Sequence, residues 1–169
     1  MILHRGEILF RQGEEGYLFH LKSGLFKVSR LQPDGTSFLF NLLVPGETFP
    51  HHSLLTPQPY YATAVALTTS EVERIPAEDW YRKLEACPEK YREVALSLQY
   101  TLRTVQQRIG FLTAPSSNRL RLLREWLHHH FSSKPVEDLL TQEELGQLLG
   151  LTRETVNRLV REERRASSS

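Results

Sequence analysis

The polar side chains Arg153, Glu154, Asn157 and Arg158, near the C-terminus, are spaced to share one face of a helix. An arginine can donate two hydrogen bonds to O6 and N7 of guanine, and a glutamate can accept one from N4 of cytosine. An asparagine one turn beyond Glu154 could reach a base or a phosphate. The pattern therefore favours a helix that reads base edges in a major groove.

The elements that would position this face are two short helices around a glycine turn. Thr141 and Glu144 have the spacing of a capping box, which predicts the start of the first helix. Gly150 occupies the position where that helix must stop and the chain must turn, and Thr152 can cap the second helix. Apolar residues then give each helix an inward stripe: Leu145, Leu148 and Leu149 on the first, and Val156, Leu159 and Val160 on the second. This arrangement predicts a helix-turn-helix that binds double-stranded DNA.

The same pattern has an explanation without DNA. Two amphipathic helices joined by a glycine turn also occur in helical bundles, and Glu154 could simply pair with Arg158 at i, i+4. The net charge of the whole chain is only +1, so no global basic surface points to nucleic acid. From Arg153 to Arg165, however, five basic residues stand against three acidic ones, and a dimer would double this local excess.

Residues 1 to about 76, within a β domain of residues 1–86, are predicted to form a β-sandwich or barrel. Short apolar runs alternate with turn signals such as Pro33-Asp34-Gly35. The predicted strands contain Ile8–Phe10, Leu18–Leu21, Leu25–Val28, Phe38–Val44 and Ala62–Ala66. A short helix over residues 77–86 follows, with Trp80, Tyr81 and Leu84 directed inward.

Residues 87–113 are predicted to form one long helix that Pro88 opens. Its apolar positions recur every three or four residues, which favours a dimer interface over packing on the same domain. These positions are Tyr91, Val94, Leu98, Leu102, Val105, Ile109 and Leu112. A break at 114–118 follows, and Ser117 or Asn118 is expected to cap the helix from Arg119 to about Phe131. Residues 114–169 form the DNA-binding domain, ending in a disordered Ser167–Ser169 tail.

Composition excludes several other classes of protein. Cys87 is the only cysteine, so an internal disulfide and a four-cysteine metal centre are ruled out. Apolar runs stay well short of a membrane span and the N-terminus lacks a signal peptide, so we expect a cytoplasmic protein without a membrane partner. A cupin-type enzyme would need spaced histidines and a glutamate around its metal, whereas His51 and His52 are adjacent. We therefore expect no enzymatic activity and no metal site.

The order of a β domain, a long helix and a C-terminal helix-turn-helix resembles the CRP/FNR family of bacterial transcription regulators. The resemblance spans nearly the whole chain and is most specific at the C-terminal motif. It is carried by His4–Gly13, Leu21–Val28, Pro45–Phe49, Ala62–Ala64, Thr141–Gly146 and Thr152–Arg158. It implies an α+β chain with an N-terminal double-stranded β-helix, or jelly roll, that senses an effector.

The resemblance also implies a mode of DNA binding. In the family, the residues that match Arg153, Glu154 and Arg158 read bases, and those that match Gln142 and Thr152 contact phosphates. A two-fold homodimer would read an inverted repeat with half-sites about one helical turn apart. RNA polymerase is a candidate further partner of such a regulator.

The effector segment departs from the cyclic-nucleotide members of the family. Those members carry a glycine–glutamate pair after the phenylalanine that matches Phe49, and an arginine–serine pair before Ala62. Here the corresponding residues are Pro50-His51 and Tyr60-Tyr61, so the arginine that neutralises the phosphate is missing. We therefore expect no binding of cyclic AMP. The candidate effector residues are Phe49, His51, His52, Tyr60 and Tyr61.

Two alternatives stay open at this point. A carbon-monoxide-sensing branch of the family places a haem-ligating histidine near His52, so haem is the alternative to a chain without a cofactor. Family members also usually have a leading helix and strand, and a two-stranded wing after the recognition helix. The wing is expected to be reduced or absent here, so the chain could instead be a sensing module whose DNA binding is weakened.

Overall fold

In a computed structural model, which describes residues 1–131 and 134–167, the chain forms an N-terminal β domain, a long helix and a C-terminal helical domain. The strands are β1 (Ile2–Leu3), β2 (Ile8–Phe10), β3 (Tyr17–Ser23), β4 (Phe26–Leu31), β5 (Ser37–Leu43), β6 (Thr48–Phe49), β7 (Thr63–Ala66) and β8 (Ser70–Pro76). A 3-10 turn spans His51–Ser53. The helices are α1 (Ala77–Ala86), α2 (Pro88–Thr113), α3 (Ser116–His130), α4 (Val136–Leu139), α5 (Gln142–Leu149) and α6 (Arg153–Ser167).

The strands build two antiparallel four-stranded sheets, with the orders β1-β8-β3-β6 and β2-β7-β4-β5. Consecutive strands often lie in different sheets, as expected for a jelly roll, so the predicted fold class is confirmed. Each of the five predicted apolar runs coincides with a strand, although Leu25, Val44 and Ala62 lie one residue outside. Strands β1, β6 and β8 were missed because β1 and β6 have two residues each and β8 lacks the consecutive apolar residues by which the other strands were found.

The interior of the roll is filled by aromatic rings. Phe10 stacks on Phe19 with ring centroids 5.4 Å apart, and Tyr60 lies 4.3 Å from Phe10. Phe49 packs 5.9 Å from Phe19 and 6.5 Å from Phe26. All five side chains are buried. Such rings supply much of the apolar area that a small β domain can bury.

Helices α1 and α2 begin as predicted, with Pro88 in the first turn of α2. Trp80 and Leu84 of α1 pack with Leu18, Leu54 and Val94 in a separate core, and Tyr81 packs at its edge.

Helix α3 begins earlier than predicted. It starts at Ser116 with Pro115 as its N-cap, and neither Ser117 nor Asn118 caps it because both lie inside the first turn. The short helix α4 was not predicted, since four residues are too few for a periodic pattern. Ser167 ends α6 rather than lying in a tail, because the Arg- and Glu-rich sequence before it favours a helix. Ser168 and Ser169 lie outside the described residues.

One hydrophobic core joins the C-terminal helices to the β domain. Leu25, Leu39 and Leu42 of the roll share this core with the inward residues of α3, α4, α5 and α6. The helix-turn-helix is therefore packed directly on strands β4 and β5 and their flanks. Among the described helices, none has both the length and the apolar character of a membrane span.

Candidate nucleic-acid interface

Helix α6 separates an exposed polar face from a buried apolar one. Arg153, Glu154 and Arg158 are exposed, as are Arg161 and Glu162 further along the helix. The predicted inward stripe is confirmed, because Val156, Leu159 and Val160 are all buried. The polar face is therefore free to enter a groove while the apolar face fixes the helix to the domain.

The start of α5 is fixed by the predicted capping box. The Glu144 backbone N–H donates to Thr141 Oγ1 over 3.1 Å, and the Thr141 N–H donates to Glu144 Oε2 over 2.9 Å. These two bonds satisfy donors that would otherwise lack a partner at the helix start.

The turn between α5 and α6 depends on two glycines. Gly150 has φ +60° and ψ +41°, the left-handed conformation that ends a helix. A Cβ on Gly146 would lie 2.5 Å from the carbonyl oxygen of Leu151, so only glycine lets the turn approach α5 this closely. Thr152 then caps α6, since its Oγ1 accepts from the Thr155 N–H over 3.2 Å.

Asn157 is oriented differently from the other three predicted base readers. Its Nδ2 donates to Gln142 Oε1 over 3.0 Å, and both residues are partly buried. The contact ties the middle of α6 to the first residue of α5. Gln142, the predicted phosphate contact, is thereby held beside the exposed face of α6.

The ion pair between Glu154 and Arg158, which is expected if this face does not bind DNA, does not form. Arg158 Nη1 instead lies 3.5 Å from Glu162 Oε1, one turn further along α6. Among the ion pairs of the described residues, none involves Glu154. Both Arg158 and Glu162 are well exposed, so this pair is weak and the arginine can exchange it for another acceptor.

Three residues that the sequence analysis missed hold the helix-turn-helix in place. Arg119 Nη1 donates to the carbonyls of Leu149 (2.9 Å) and Gly150 (3.2 Å), which satisfies the C-terminal end of α5. Gln147 Oε1 accepts from the Leu39 N–H (2.7 Å), while its Nε2 donates to the Ser37 carbonyl (3.2 Å). Gln147 thus covers the free edge of strand β5 as a neighbouring peptide group would.

The third residue is Lys27 on β4, which forms a partly buried ion pair with Glu144. Burial alone would raise the pKa of Glu144, but its hydrogen bonds with Lys27 and the Thr141 backbone lower that pKa on balance. The same carboxylate therefore caps α5 and attaches it to the β domain. The contacts of Lys27 with Glu144 and of Gln147 with Leu39 join residues more than a hundred positions apart, so the local sequence carries no signal for them.

The candidate effector residues do not line one pocket. Phe49 and Tyr60 lie in the aromatic interior, where the Tyr60 hydroxyl donates to the Tyr17 carbonyl over 2.8 Å. Burial raises the pKa of Tyr60. His52 and Tyr61 instead lie on the outside with their rings 6.3 Å apart, and His51 faces Glu47 with 2.9 Å between Nε2 and Oε2. The five residues are thus divided between the interior and the outside of the roll, and their role in binding an effector stays a prediction.

The residues around His52 do not fit a haem. The ring of His52 lies against Tyr61 at the surface, and its Nε2 is 3.1 Å from the Pro59 carbonyl oxygen. The roll interior beside it is filled by the aromatic cluster rather than open to a porphyrin. Within the described residues, no three or more His, Cys, Asp or Glu side chains are grouped as metal ligands.

Helix α2 carries an exposed apolar stripe along part of the predicted seam. Leu102, Ile109 and Leu112 are exposed, and Val105 between them is half-buried. Tyr91 is also exposed and Leu98 is half-buried. Val94 was wrongly assigned to the seam: only 2% of it is exposed, because α1 and the roll of its own chain cover it.

Comparison with known proteins gives two matching families. The cyclic nucleotide-binding domain matches residues 2–87, and the Crp-like helix-turn-helix domain matches residues 120–167. The chain is 30% identical over 164 residues to a CRP-like cAMP-activated global transcriptional regulator of Mycobacterium tuberculosis, which covers 91% of this chain and 72% of that relative.

A second relative and one solved structure agree with these matches. The chain is 27% identical over 164 residues to the transcriptional activator protein anr of Pseudomonas aeruginosa, covering 93% of this chain and 67% of the relative. The crystal structure of a CRP-family transcriptional regulator from Thermus thermophilus superimposes with a TM-score of 0.78 at 24% identity. That superposition covers 99% of this chain and 85% of the other, and it establishes the likeness of the fold.

Proposed function

The chain belongs to the CRP/FNR family of transcription regulators, and from this premise we propose that it binds an inverted DNA repeat as a homodimer without control by cyclic AMP. Members of this family carry a helix-turn-helix that binds DNA. The observation that carries the proposal is the exposed face of α6. It holds two arginines and a glutamate with free access to a groove, on a helix whose other face is fixed in the core.

Each residue of the interface has a proposed role. Arg153, Glu154 and Arg158 read base edges, since their side chains are exposed and have the donors and acceptors for guanine and cytosine. Gln142 and Thr152 contact phosphates at the start of α5 and α6, where backbone N–H groups also favour an anion. Asn157 reaches a base or phosphate only if it exchanges its bond to Gln142.

The dimer is proposed to form along α2. The stripe of Leu102, Val105, Ile109 and Leu112 recurs at heptad spacing and leaves apolar side chains in water in a single chain. Pairing two such helices around a two-fold axis buries the stripe. The same axis relates two α6 helices, which accounts for an inverted repeat with half-sites about 34 Å apart.

Independence from cyclic AMP is supported by the effector segment. Tyr60 and Tyr61 stand where cyclic-nucleotide members carry the arginine–serine pair, and Tyr60 occupies the aromatic interior. A cyclic phosphate in the aromatic interior beside Tyr60 would lose its hydration without the arginine that cyclic-nucleotide members place before Ala62, which costs several kcal/mol. The Mycobacterium tuberculosis relative is cAMP-activated by name, so this chain would differ from it in regulation. We propose no haem or other resident cofactor and no enzymatic role.

A bacterial transcription regulator acts in the compartment that contains the chromosome and RNA polymerase. We place the chain in the cytoplasm, where its DNA site is, and treat RNA polymerase as its candidate protein partner. The α6 residues are needed for DNA, so any such contact would use other surfaces.

The proposal is tested by selecting binding sites from random double-stranded DNA and measuring gel shifts on the selected sequence at low salt. The parent chain should select an inverted repeat, and Arg158→Ala should weaken binding by about tenfold or more. Arg82→Ala, an exposed arginine on α1, is the matched control and should bind like the parent. If the parent gives no shift at low salt, the chain is a sensing module and the proposal is wrong.

A further inference from the structure

The three parts of the chain meet at a buried polar junction that the proposed function does not use. Arg108 comes from α2, Trp126 from α3, and Glu47 and His51 from the end of the roll. The Arg108 Cζ lies 5.3 Å from the centre of the Trp126 ring. Glu47 is close enough for its charge to act on both Arg108 and His130.

Arg108 is the unusual member of this junction. Its Nε is fully buried without an acceptor, and the guanidinium makes no ion pair with any described residue. Burial lowers the pKa of Arg108 to about 10, and the charge of Glu47 only partly opposes that change. Arg108 as a whole is partly exposed and its guanidinium stays charged at neutral pH, so leaving the buried Nε without an acceptor is costly.

Trp126 adds a second buried donor at the same place. Its indole Nε1 is also buried without an acceptor. The ring of His130 lies 4.8 Å from the Trp126 ring. Burial lowers the pKa of His130, so this imidazole does not add a second fixed positive charge at neutral pH.

Glu47 satisfies neither donor, since neither Arg108 Nε nor Trp126 Nε1 has a hydrogen-bond acceptor. Oε1 accepts from the Val44 N–H over 3.1 Å, and Oε2 lies 2.9 Å from His51 Nε2. Among the described residues, Glu47 pairs with His51 and forms no ion pair with Arg108. Two donors, one of them charged, are thus left without an acceptor where α2, α3 and the roll converge.

We propose that this junction binds a small oxyanion, the phosphate or carboxylate group of an effector, through Arg108 and the indole N–H of Trp126. Both unpaired groups are donors, so the missing partner must be an acceptor, and a planar guanidinium matches the oxygens of phosphate and carboxylate. The site lies outside the aromatic interior of the roll. A ligand bound there would connect α2, the helix that carries the apolar stripe, to α3, the first helix of the DNA-binding domain.

The experiment is a titration followed by tryptophan fluorescence in the absence of DNA, so its outcome is independent of the proposed function. The chain has two tryptophans, and Trp80→Phe leaves Trp126 as the only reporter. Inorganic phosphate and acetate are titrated separately at constant ionic strength, with chloride as the reference. We expect a saturable change in Trp126 emission with at least one of the two; a response to phosphate alone identifies phosphate esters, and one to acetate alone identifies carboxylates.

Variants of Arg108 decide whether the response comes from this site. Arg108→Gln should weaken binding about tenfold or more, because it removes a charge-assisted pair of hydrogen bonds. Arg103→Gln, an exposed arginine on the same helix, should leave binding unchanged. If circular dichroism finds Arg108→Gln unfolded, Arg108→Lys is used and should bind more weakly than the parent. Absence of any saturable response in the parent, or a full response in the Arg108 variant, overturns the proposal.

Discussion

The recognition helix and the interior of the roll place their functional residues in opposite ways. On α6, Arg153, Glu154 and Arg158 point into solvent, and the helix is held only by its other face. In the roll, Phe49 and Tyr60 point into an aromatic cluster, where their rings pack against Phe10, Phe19 and Phe26. One region keeps its candidate functional residues exposed, and the other buries two of them in core packing.

This difference indicates which region could change without loss of the fold. DNA reading needs exposed side chains whose positions are fixed by backbone elements, such as the capping box at Thr141 and the glycine turn at Gly150. An effector pocket needs empty space, which a core can fill with aromatic rings at a gain in stability. The chain therefore has an exposed face for DNA on α6 and a roll interior in which Phe49 and Tyr60 pack against other aromatic rings.

The largest expected effect tests the claim that the roll interior is a packed core. Phe10→Ala should lower the free energy of unfolding by about 3–5 kcal/mol, because it leaves a cavity among Phe19, Phe49 and Tyr60. Phe10 is 6% exposed, so Phe38, which is 41% exposed, provides the control. Phe38→Ala should change stability by about 0.5 kcal/mol or less. Equal effects of the two variants in urea unfolding would mean that the interior is loosely packed.

A smaller effect tests whether the exposed face of α6 reads bases. Glu154→Ala should remove about 1–3 kcal/mol of discrimination at one base pair of each half-site, while affinity for unrelated DNA stays the same. The measurement is a competition between the selected site and its single-base variants. Glu85→Ala on α1 is an exposed control that should retain full discrimination. Uniform weakening across all sequences would assign Glu154 to the fold rather than to base reading.

The stability contributed by the Lys27–Glu144 ion pair, which attaches α5 to the β domain, should depend on pH. The pKa of Glu144 is lower in the folded chain than its ordinary value of 4.5, so its stabilising contribution is present above that value and is lost as the pH falls below it. Glu144→Gln should cost about 1 kcal/mol or less at pH 7. The difference in melting temperature between parent and variant should shrink as the pH falls from 6 towards 3. A difference that stays constant over this range would mean that the charge of Glu144 contributes nothing.

The smallest expected effect is the absence of cyclic AMP binding. Calorimetry with the parent chain should detect no heat of binding, since tyrosines at positions 60 and 61 replace the arginine–serine pair that holds the phosphate in cyclic-nucleotide members. Affinity in the micromolar range would show that the aromatic interior opens, and it would remove the contrast between the two regions.

Sequence patterns predicted what is local and missed what is distant. The capping box, the left-handed Gly150 and the inward stripe of α6 follow from neighbouring residues, so they could be read directly. The bonds from Gln147 to strand β5 and the pair of Lys27 with Glu144 arise only after folding. Val94 illustrates the same limit, because heptad spacing cannot tell a helix face that meets a second chain from one that meets α1.

The stoichiometry of the DNA complex tests the central claim most directly. Native mass spectrometry of the parent chain with its selected duplex should find two chains on one duplex, with both half-sites required for the complex. Replacing Ile109 with glutamate should reduce this to a single chain or to no complex, because a charge would then lie in the apolar stripe of α2. One chain per duplex with undiminished affinity, or a dimer that is indifferent to Ile109→Glu, would contradict the account.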